Sequence, residues 1–265
     1  MRPFEQLVDE AMAADVTGWG FGWLDGRATE QRPPWGYAAL LARRIGRARA
    51  PLDLDTGGGE VLDEAPLLPA GTLATEGWPP NVALARQRLE PRGATVLEHA
   101  PGTPLPVADD SRDLVTSRHP VAPDFVEIAR VLAPGGTYLG QHVGPWSAAT
   151  LSERFLGPLP THPAHRDPAS EILAARDAGL TLVDVRSARL RQEYRDIGAI
   201  VWILRKCPWW VPGFERGVRD GTHDATLRAL DAELRASAPF VTHVTRHLLE
   251  LRKPAATHVV PPVAR

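Results

Sequence analysis

The chain has 265 residues, 43% of them hydrophobic and 23% charged, so it is long enough to bury a core without metal or disulfide support. Its formal net charge of −2 argues against a dedicated nucleic-acid-binding protein, which usually carries a basic excess. A single cysteine, Cys207, excludes an internal disulfide framework and cysteine-rich metal modules. The chain has no apolar run of about 18 residues and no signal-peptide pattern, so we expect a cytoplasmic protein without a membrane partner.

Residues 1–48 are predicted to form an N-terminal helical lid. Apolar residues recur at helical spacing near residues 4–11 and again near residues 37–45. Between these two helices lies an irregular connection that is rich in tryptophan and in turn-forming residues. Its aromatic side chains can close over a bound ligand or build a small satellite core, and they are Trp19, Trp23, Trp35 and Tyr37.

Residues 49–254 are predicted to form one α/β domain, because short strands alternate with helices along this segment. The seven predicted strands are 52–55, 71–75, 94–98, 113–116, 137–143, 180–185 and 247–252. Such alternation favours a doubly wound, mostly parallel sheet with helices on both faces. Residues 187–245 are expected to be a helical cover inserted between the sixth and seventh strands, and residues 255–265 a loose tail.

A glycine-rich turn, DLDTGGGE at residues 53–60, follows the first predicted strand. At the carboxyl edge of an open parallel sheet, such a strand-to-helix turn is where ligands bind. The dinucleotide pattern G-x-G-x-x-G fails because its third position holds Leu62, and the phosphate-loop lysine is absent as well. Carboxylates crowd the turn, whereas a pyrophosphate prefers a helix N-terminus without negative charge. The turn therefore suits a ligand with cationic groups and no phosphate, such as S-adenosylmethionine.

Glu76 supports a nucleoside ligand. It ends the second predicted strand, 23 residues after Asp53, close to the spacing at which a carboxylate accepts hydrogen bonds from ribose hydroxyls. The alternative is that the glycines only make a turn and that Glu76 caps the next helix.

Four blocks in this order resemble class I S-adenosylmethionine-dependent methyltransferases of the small-molecule type 11 group. The blocks are DLDTGGGE, the acid Glu76, PVADDSRDLVTSRH at 106–119 and EIARVLAPGGTYLGQHVG at 127–144. The resemblance covers about residues 50–145. It implies a Rossmann-like, doubly wound sheet of seven strands with the last strand antiparallel, and S-adenosyl-L-methionine as cofactor.

The resemblance also assigns roles to residues of the expected cofactor site. It implies that Asp53 orders the loop, that Gly57 and Gly59 approach the methionine part, and that Glu76 holds the ribose. Trp78 would lie against the adenine or simply pack at the surface. The remaining residues expected near the cofactor are Trp35, Tyr37, Asp55, His99, Ala100 and Arg118.

The sequence departs from the family pattern at three of its positions. Asp55 stands where the first glycine is usual, and Arg112 replaces a phenylalanine. His99 stands where an aspartate commonly meets the adenine, which leaves that contact to the Ala100 backbone and to His99 itself.

His119 is the first candidate for general base or substrate contact, because it follows the fourth predicted strand beside the expected methyl group. It can equally be a structural histidine that bonds a loop carbonyl. His142 is a second candidate, and at most one of Gln141 and His142 can point at the ligand, since neighbouring strand residues face opposite ways. No metal is predicted, although one loop holds the potential ligands His162, His165 and Asp167.

The expected reaction is in-line methyl transfer to a small organic acceptor. One alternative is an RNA or tRNA methyltransferase. It is supported only by a local run of arginines, which are Arg186, Arg189, Arg191 and Arg195. The other alternative is a partner protein that binds the cofactor but has lost the chemistry. If the Trp209-Trp210 pair is exposed, it predicts an apolar acceptor or a dimer contact, and if it is buried, it is part of the core. The chain is expected to be a monomer or a homodimer.

Overall fold

The structure is a computed structural model that describes residues 2–17, 20–160, 166–237 and 239–255. Within these residues one mixed sheet contains eight strands, in the hydrogen-bonding order β1-β7-β8-β6-β5-β2-β3-β4. The strands are β1 Ala28–Glu30, β2 Pro51–Leu54, β3 Leu73–Glu76, β4 Thr95–Glu98, β5 Arg112–Arg118, β6 Leu132–Val143, β7 Thr181–Tyr194 and β8 Phe240–Arg252.

Ten α-helices occur in the described residues. They are α1 Phe4–Ala13, α2 Tyr37–Ile45, α3 Glu60–Asp63, α4 Pro79–Leu89, α5 Phe125–Val131, α6 Ala149–Leu156, α7 Pro168–Asp177, α8 Ile197–Lys206, α9 Phe214–Arg219 and α10 Asp224–Ser237. Two short 3-10 helices, Gly22–Leu24 and Glu90–Arg92, complete the helical segments. None of these helices is both long enough and apolar enough to cross a bilayer.

The parallel part of the sheet consists of β6, β5, β2, β3 and β4. Strand β2 lies between β3 and β5 and pairs with both in parallel. β8 runs antiparallel to β6, because the backbone pairs Gly135–Lys253 and Gly144–Thr245 advance in opposite directions along the two strands. β1 pairs antiparallel with β7 at the other edge. The predicted α/β fold with an antiparallel last strand is confirmed, with eight strands instead of seven.

The prediction of the sixth and seventh strands was wrong in their lengths. β7 continues to Tyr194 and β8 begins at Phe240, so both ends of the predicted helical insertion 187–245 are strand. β1 pairs with β7 at Ala28↔Tyr194 and Glu30↔Gln192, which gives the extended end of β7 a hydrogen-bonding partner. Long-range pairing of this kind overrides the local pattern.

The described residues divide into two compact units. The first comprises the described residues of 1–34, 143–164 and 188–246, and the second those of 35–142, 165–187 and 247–265. The predicted N-terminal lid 1–48 is thus divided after Pro34, with α2 in the second unit.

The first unit has its core around α8, which is buried along nearly its whole length. Asp196 caps this helix by accepting from the Ala199 N–H at 2.9 Å. Trp202 is 2% exposed and stacks on Trp23 with the ring centroids 5.7 Å apart.

The second unit has a hydrophobic core on each face of its strands. On one face, residues of α2, α3 and α4 form a cluster with Leu139 of β6. On the other face, residues of α5 and α7 form a cluster with Tyr138, the neighbouring residue of β6. The alternation of side chains along β6 therefore decides which residues face each core.

Candidate functional site

The turn after β2 has the backbone conformation that a close ligand contact requires. Gly57 and Gly59 have φ values of 65° and 81°, in the left-handed region that favours glycine. Asp55, at the position where the resemblance implies a glycine, has a φ of 52° and so adopts a glycine-like conformation itself. Aspartate tolerates this region better than most residues, so the turn keeps its shape despite the substitution.

The carboxylate of Glu76 ties this turn to the end of β3. Its Oε2 accepts from the Gly57 N–H at 2.8 Å, and its Oε1 accepts from the N–H groups of Gly77 and Trp78 at 3.0 and 2.9 Å. Charge-assisted bonds to backbone amides are among the stronger hydrogen bonds in proteins. Glu76 therefore contacts both the glycine turn and the residues that precede α4, and its expected role toward a ribose stays a prediction.

Two further carboxyl groups belong to this segment, Asp53 in β2 and Asp55 in the turn itself. Asp53 is 6% exposed, and its Oδ1 accepts from the Thr116 hydroxyl at 2.5 Å. Burial raises the pKa of Asp53 to about 6, against the lowering effect of this hydrogen bond. Burial, together with the negative charge of Glu76, also raises the pKa of Asp55. Carboxyl groups therefore crowd the turn, and its expected preference for a cationic ligand stays a prediction.

The residues expected near an adenine lie at the ends of β3 and β4. Gly77 is held against the backbone of the β4 end, because a Cβ at this position would lie 2.7 Å from the His99 carbonyl oxygen. The Trp78 side chain is 46% exposed. The His99 ring is bonded to the Thr103 carbonyl at 2.9 Å through Nε2, and Ala100 is exposed.

A series of hydrogen-bonded side chains ends at His119, which follows β5. The Trp35 indole N–H donates to Gln141 Oε1 at 2.7 Å, and the Gln141 amide nitrogen lies 3.0 Å from His119 Nε2. The amide nitrogen is a donor, so Nε2 of a neutral His119 accepts and the ring proton is on Nδ1. His119 has a φ of 59°, and its N–H donates to the Gln141 carbonyl at 2.7 Å.

Tyr37 and Arg118 lie beside these hydrogen-bonded side chains. The Tyr37 hydroxyl donates to the Ser117 carbonyl at 2.9 Å and so connects α2 to the end of β5. Burial raises the pKa of Tyr37 well above its usual value, so the hydroxyl stays a donor. The Arg118 side chain is exposed at the same strand end. All twelve predicted site residues belong to the second unit.

Other residues that the sequence singled out lie elsewhere. His142 points to the face of β6 opposite Gln141 and is buried, so it does not join His119. Asp167 caps α7 through the Ser170 N–H at 3.2 Å. Trp209 is 49% exposed, whereas Trp210 packs partly buried against the core of the first unit. Trp19, His162 and His165 lie outside the described residues.

The arginines of the basic run that the sequence suggested form ion pairs and hydrogen bonds with nearby groups. Arg191 pairs with Glu193 at 2.6 Å, and the Arg195 guanidinium donates to the Gly26 carbonyl at 3.3 Å. Arg186 pairs with Asp184 at 2.8 Å in the second unit. This pattern fits a solvated, charge-balanced surface better than a basic stripe for nucleic acid.

Sequence reasoning left the role of Gln141 open and did not single out Gly77. Strand alternation limited the ligand-facing residue to either Gln141 or His142, and only the helix packing on each face decides between them. For Gly77 the signal was its position directly after Glu76, at the carboxyl end of a parallel strand.

Comparison with known proteins matches this site region to a described family. Residues 52–140 match the family described as "Methyltransferase domain". A search of curated protein sequences finds no match to the chain.

Three solved structures share the fold. One is a protein of Bacillus halodurans C-125 that is provisionally classed as a methyltransferase, with a TM-score of 0.55 and 18% identity over 82% of this chain and 99% of that one. The YcgJ protein of Bacillus subtilis gives 0.56 and 17% over 82% and 97% of the two chains. The (4+2)-cyclase SpnF gives 0.51 and 18% over 83% and 81%. At these identities the similarity concerns the fold alone.

Proposed function

We propose that this chain is a class I S-adenosylmethionine-dependent methyltransferase that methylates a small organic acceptor, because residues 52–140 match the methyltransferase-domain family. The observation that carries the proposal is the contact between Glu76 and the Gly57 N–H. It joins the carboxylate that is expected to bind a ribose to a glycine turn in the left-handed conformation. The near-neutral net charge and the ion pairs of Arg186 and Arg191 favour a small acceptor over a nucleic acid.

The turn and the two neighbouring strand ends would hold the cofactor. Glu76 Oε2 carries one hydrogen bond from Gly57 and keeps a further lone pair for a ribose hydroxyl. Gly57 and Gly59 would let the methionine part approach the backbone, while Asp53 and Asp55 would balance its cationic groups. Trp78, His99 and the Ala100 backbone would flank the adenine, and Arg118 would lie beside the same ligand.

His119 would accept the proton that a hydroxyl or ammonium acceptor loses during transfer. When bound, S-adenosylmethionine supplies an electrophilic methyl group on a sulfonium. The Nε2 lone pair of His119 is the basic atom, and at present it accepts from Gln141. An acceptor hydroxyl would replace this donor, while Trp35 holds the Gln141 side chain at 2.7 Å. Trp35 and Tyr37 would also help to exclude water.

The direct test is methyl transfer with labelled S-adenosylmethionine. Purified protein would be incubated with a low-molecular-weight cell extract and, separately, with total RNA. We expect label to enter an organic-soluble product only from the extract, and this product to resist ribonuclease. Label in RNA alone would support the RNA methyltransferase alternative. Tight cofactor binding without transfer to either substrate pool would support the alternative that the chemistry has been lost.

The role of His119 has its own test. If it is the base, His119→Ala lowers kcat by about 100-fold or more near neutral pH and removes the acidic limb of the pH profile. His243→Ala, a change of a half-buried histidine in the first unit, is the matched control and should leave turnover unchanged. An unaltered pH profile in His119→Ala would mean that His119 is structural.

A further inference from the structure

A second cluster of ionisable side chains lies on the face of the sheet that the methyl-transfer site does not use. His142 of β6, Glu171 of α7 and His247 of β8 place their ligand atoms within 4.8 Å of one another. His142 Nδ1 and His247 Nε2 lie 2.7 and 2.6 Å from the same carboxylate oxygen, Oε2 of Glu171. The two histidines are 1% exposed and the glutamate is 9% exposed. These three residues are called the His-Glu-His cluster below.

The His-Glu-His cluster holds a negative charge without a permanent cation. Both imidazoles point a ring nitrogen at the same carboxylate oxygen of Glu171, which is therefore the shared hydrogen-bond acceptor. Among the described residues, the ion pairs of Glu171 are those with the two imidazoles, and none is with a lysine or arginine. A buried carboxylate is costly unless a cation compensates it.

We propose that the His-Glu-His cluster is a structural binding site for a divalent transition-metal ion of the Zn²⁺ class. Two imidazole nitrogens and one carboxylate oxygen form a donor set that suits zinc, cobalt or nickel, whereas calcium and magnesium prefer oxygen ligands. The ligand atoms are His142 Nδ1, Glu171 Oε2 and His247 Nε2. The ion would join α7 and β8 to β6 at one point of the second unit.

Metal binding needs only a small rearrangement. Ligands about 2.0–2.2 Å from a tetrahedral ion lie about 3.3–3.5 Å from one another. The present separations of 2.6 and 2.7 Å would therefore open by about 0.6–0.9 Å, which a shift of the Glu171 side chain can provide. The ion would also replace the two N–H···O bonds that now occupy the carboxylate.

The protons balance without an additional base. Each imidazole donates a ring proton to Glu171, and a neutral ring that binds a metal through this nitrogen carries its proton on the other one, so this exchange releases none. On His142 that nitrogen is Nε2, which lies 2.8 Å from the Tyr138 hydroxyl, and the hydroxyl changes from donor to acceptor. On His247 it is Nδ1, which is buried and has no hydrogen-bond partner in the described part of the chain, so it can take up the proton without breaking a bond.

The surroundings hold the His142 ring in place. A Cβ at Gly140 would overlap both His142 Nε2 and the Tyr138 hydroxyl, so the strand accepts only glycine there without a shift. Burial raises the pKa of Tyr138 far above its usual value, which keeps its hydroxyl protonated. The Tyr138 hydroxyl would thus orient the ring of His142 as a metal ligand.

The opposite orientation of Gln141 separates this site from the methyl-transfer chemistry. Gln141 contacts His119 on one face of β6, while His142 contacts Glu171 on the other. Loss of the ion should therefore lower stability more than it changes methyl transfer. Failure of the metal proposal would leave the proposed function intact, because the two sets of residues are different.

The test is metal binding by the full chain without a polyhistidine tag, after removal of metals with a chelator. We expect one Zn²⁺ per chain by calorimetry and elemental analysis. At about 100 times Kd, the ion should raise Tm by roughly 5–10 °C. Co²⁺ should give the absorption bands of a tetrahedral or five-coordinate site.

Variants identify the ligands. His142→Gln and His247→Gln keep polar groups of similar size, and each should weaken Zn²⁺ binding by more than tenfold while the chain still unfolds cooperatively. Glu171→Gln should do the same, and the control His243→Gln should bind like the wild type. If no stoichiometric ion binds to the folded chain, or if binding survives in the cluster variants, the proposal is wrong and the cluster is a hydrogen-bond network.

Discussion

Asp53→Asn should change the pH dependence of stability. As the pH rises from acidic to alkaline values, the variant should gain stability relative to the wild type. Burial raises the pKa of Asp53 from 3.8 to about 6, so the folded chain holds this proton more tightly than the unfolded chain does. The resulting stabilisation is present at low pH and is lost as the pH rises through 6. Between pH 5 and pH 8 this one carboxyl costs the wild type about 1 kcal/mol, and the full cost above pH 8 is about 3 kcal/mol.

Asparagine has the same shape and can still accept from the Thr116 hydroxyl, but it does not titrate. Urea unfolding of both proteins at pH 5 and pH 8 gives the difference directly, because effects independent of pH cancel. We expect the variant to gain about 1 kcal/mol over the wild type between these two pH values. Parallel pH profiles of stability would refute the assigned burial of an ionised Asp53.

Three further changes test the packing of the site and of the first unit. Trp35→Phe removes the N–H that holds Gln141 and should lower kcat about tenfold without lowering Tm markedly, as measured by steady-state turnover and calorimetry. Gly77→Ala places a Cβ against the His99 carbonyl and should cost about 1–3 kcal/mol in urea unfolding, whereas Gly71→Ala, where space is open but φ is 83°, tests backbone strain alone. Trp202→Ala empties a stacked core position and should cost about 3–5 kcal/mol, and a loss below 1 kcal/mol would contradict its place in the core.

The parallel half of the fold follows from local signals in the sequence. The strand β2, the glycine turn and the acid at Glu76 occur in an order that a parallel sheet brings to one edge. The left-handed conformation of Asp55 could not be predicted with certainty from its residue type, because aspartate adopts both ordinary and left-handed conformations.

The antiparallel edge of the sheet was harder to predict. In β7, residues 188–194 alternate in burial, but the arginines among them obscure the pattern, and their partner β1 has only three residues. The His-Glu-His cluster was missed because its residues are far apart in sequence. His142 and His247 come together through the pairing of β6 with β8, and Glu171 through the packing of α7. No local spacing encodes such a meeting of three elements.

The most direct test of the central claim is a calorimetric titration with S-adenosylhomocysteine, the demethylated product. We expect one molecule per chain, and Glu76→Ala should weaken binding by at least about tenfold because it removes charge-assisted bonds to the turn. Glu98→Ala is the matched control, since Glu98 lies opposite Glu76 on β4 but is exposed, and it should bind like the wild type. If the folded wild type does not bind the ligand, or if Glu76→Ala binds it equally well, the account of this site is wrong.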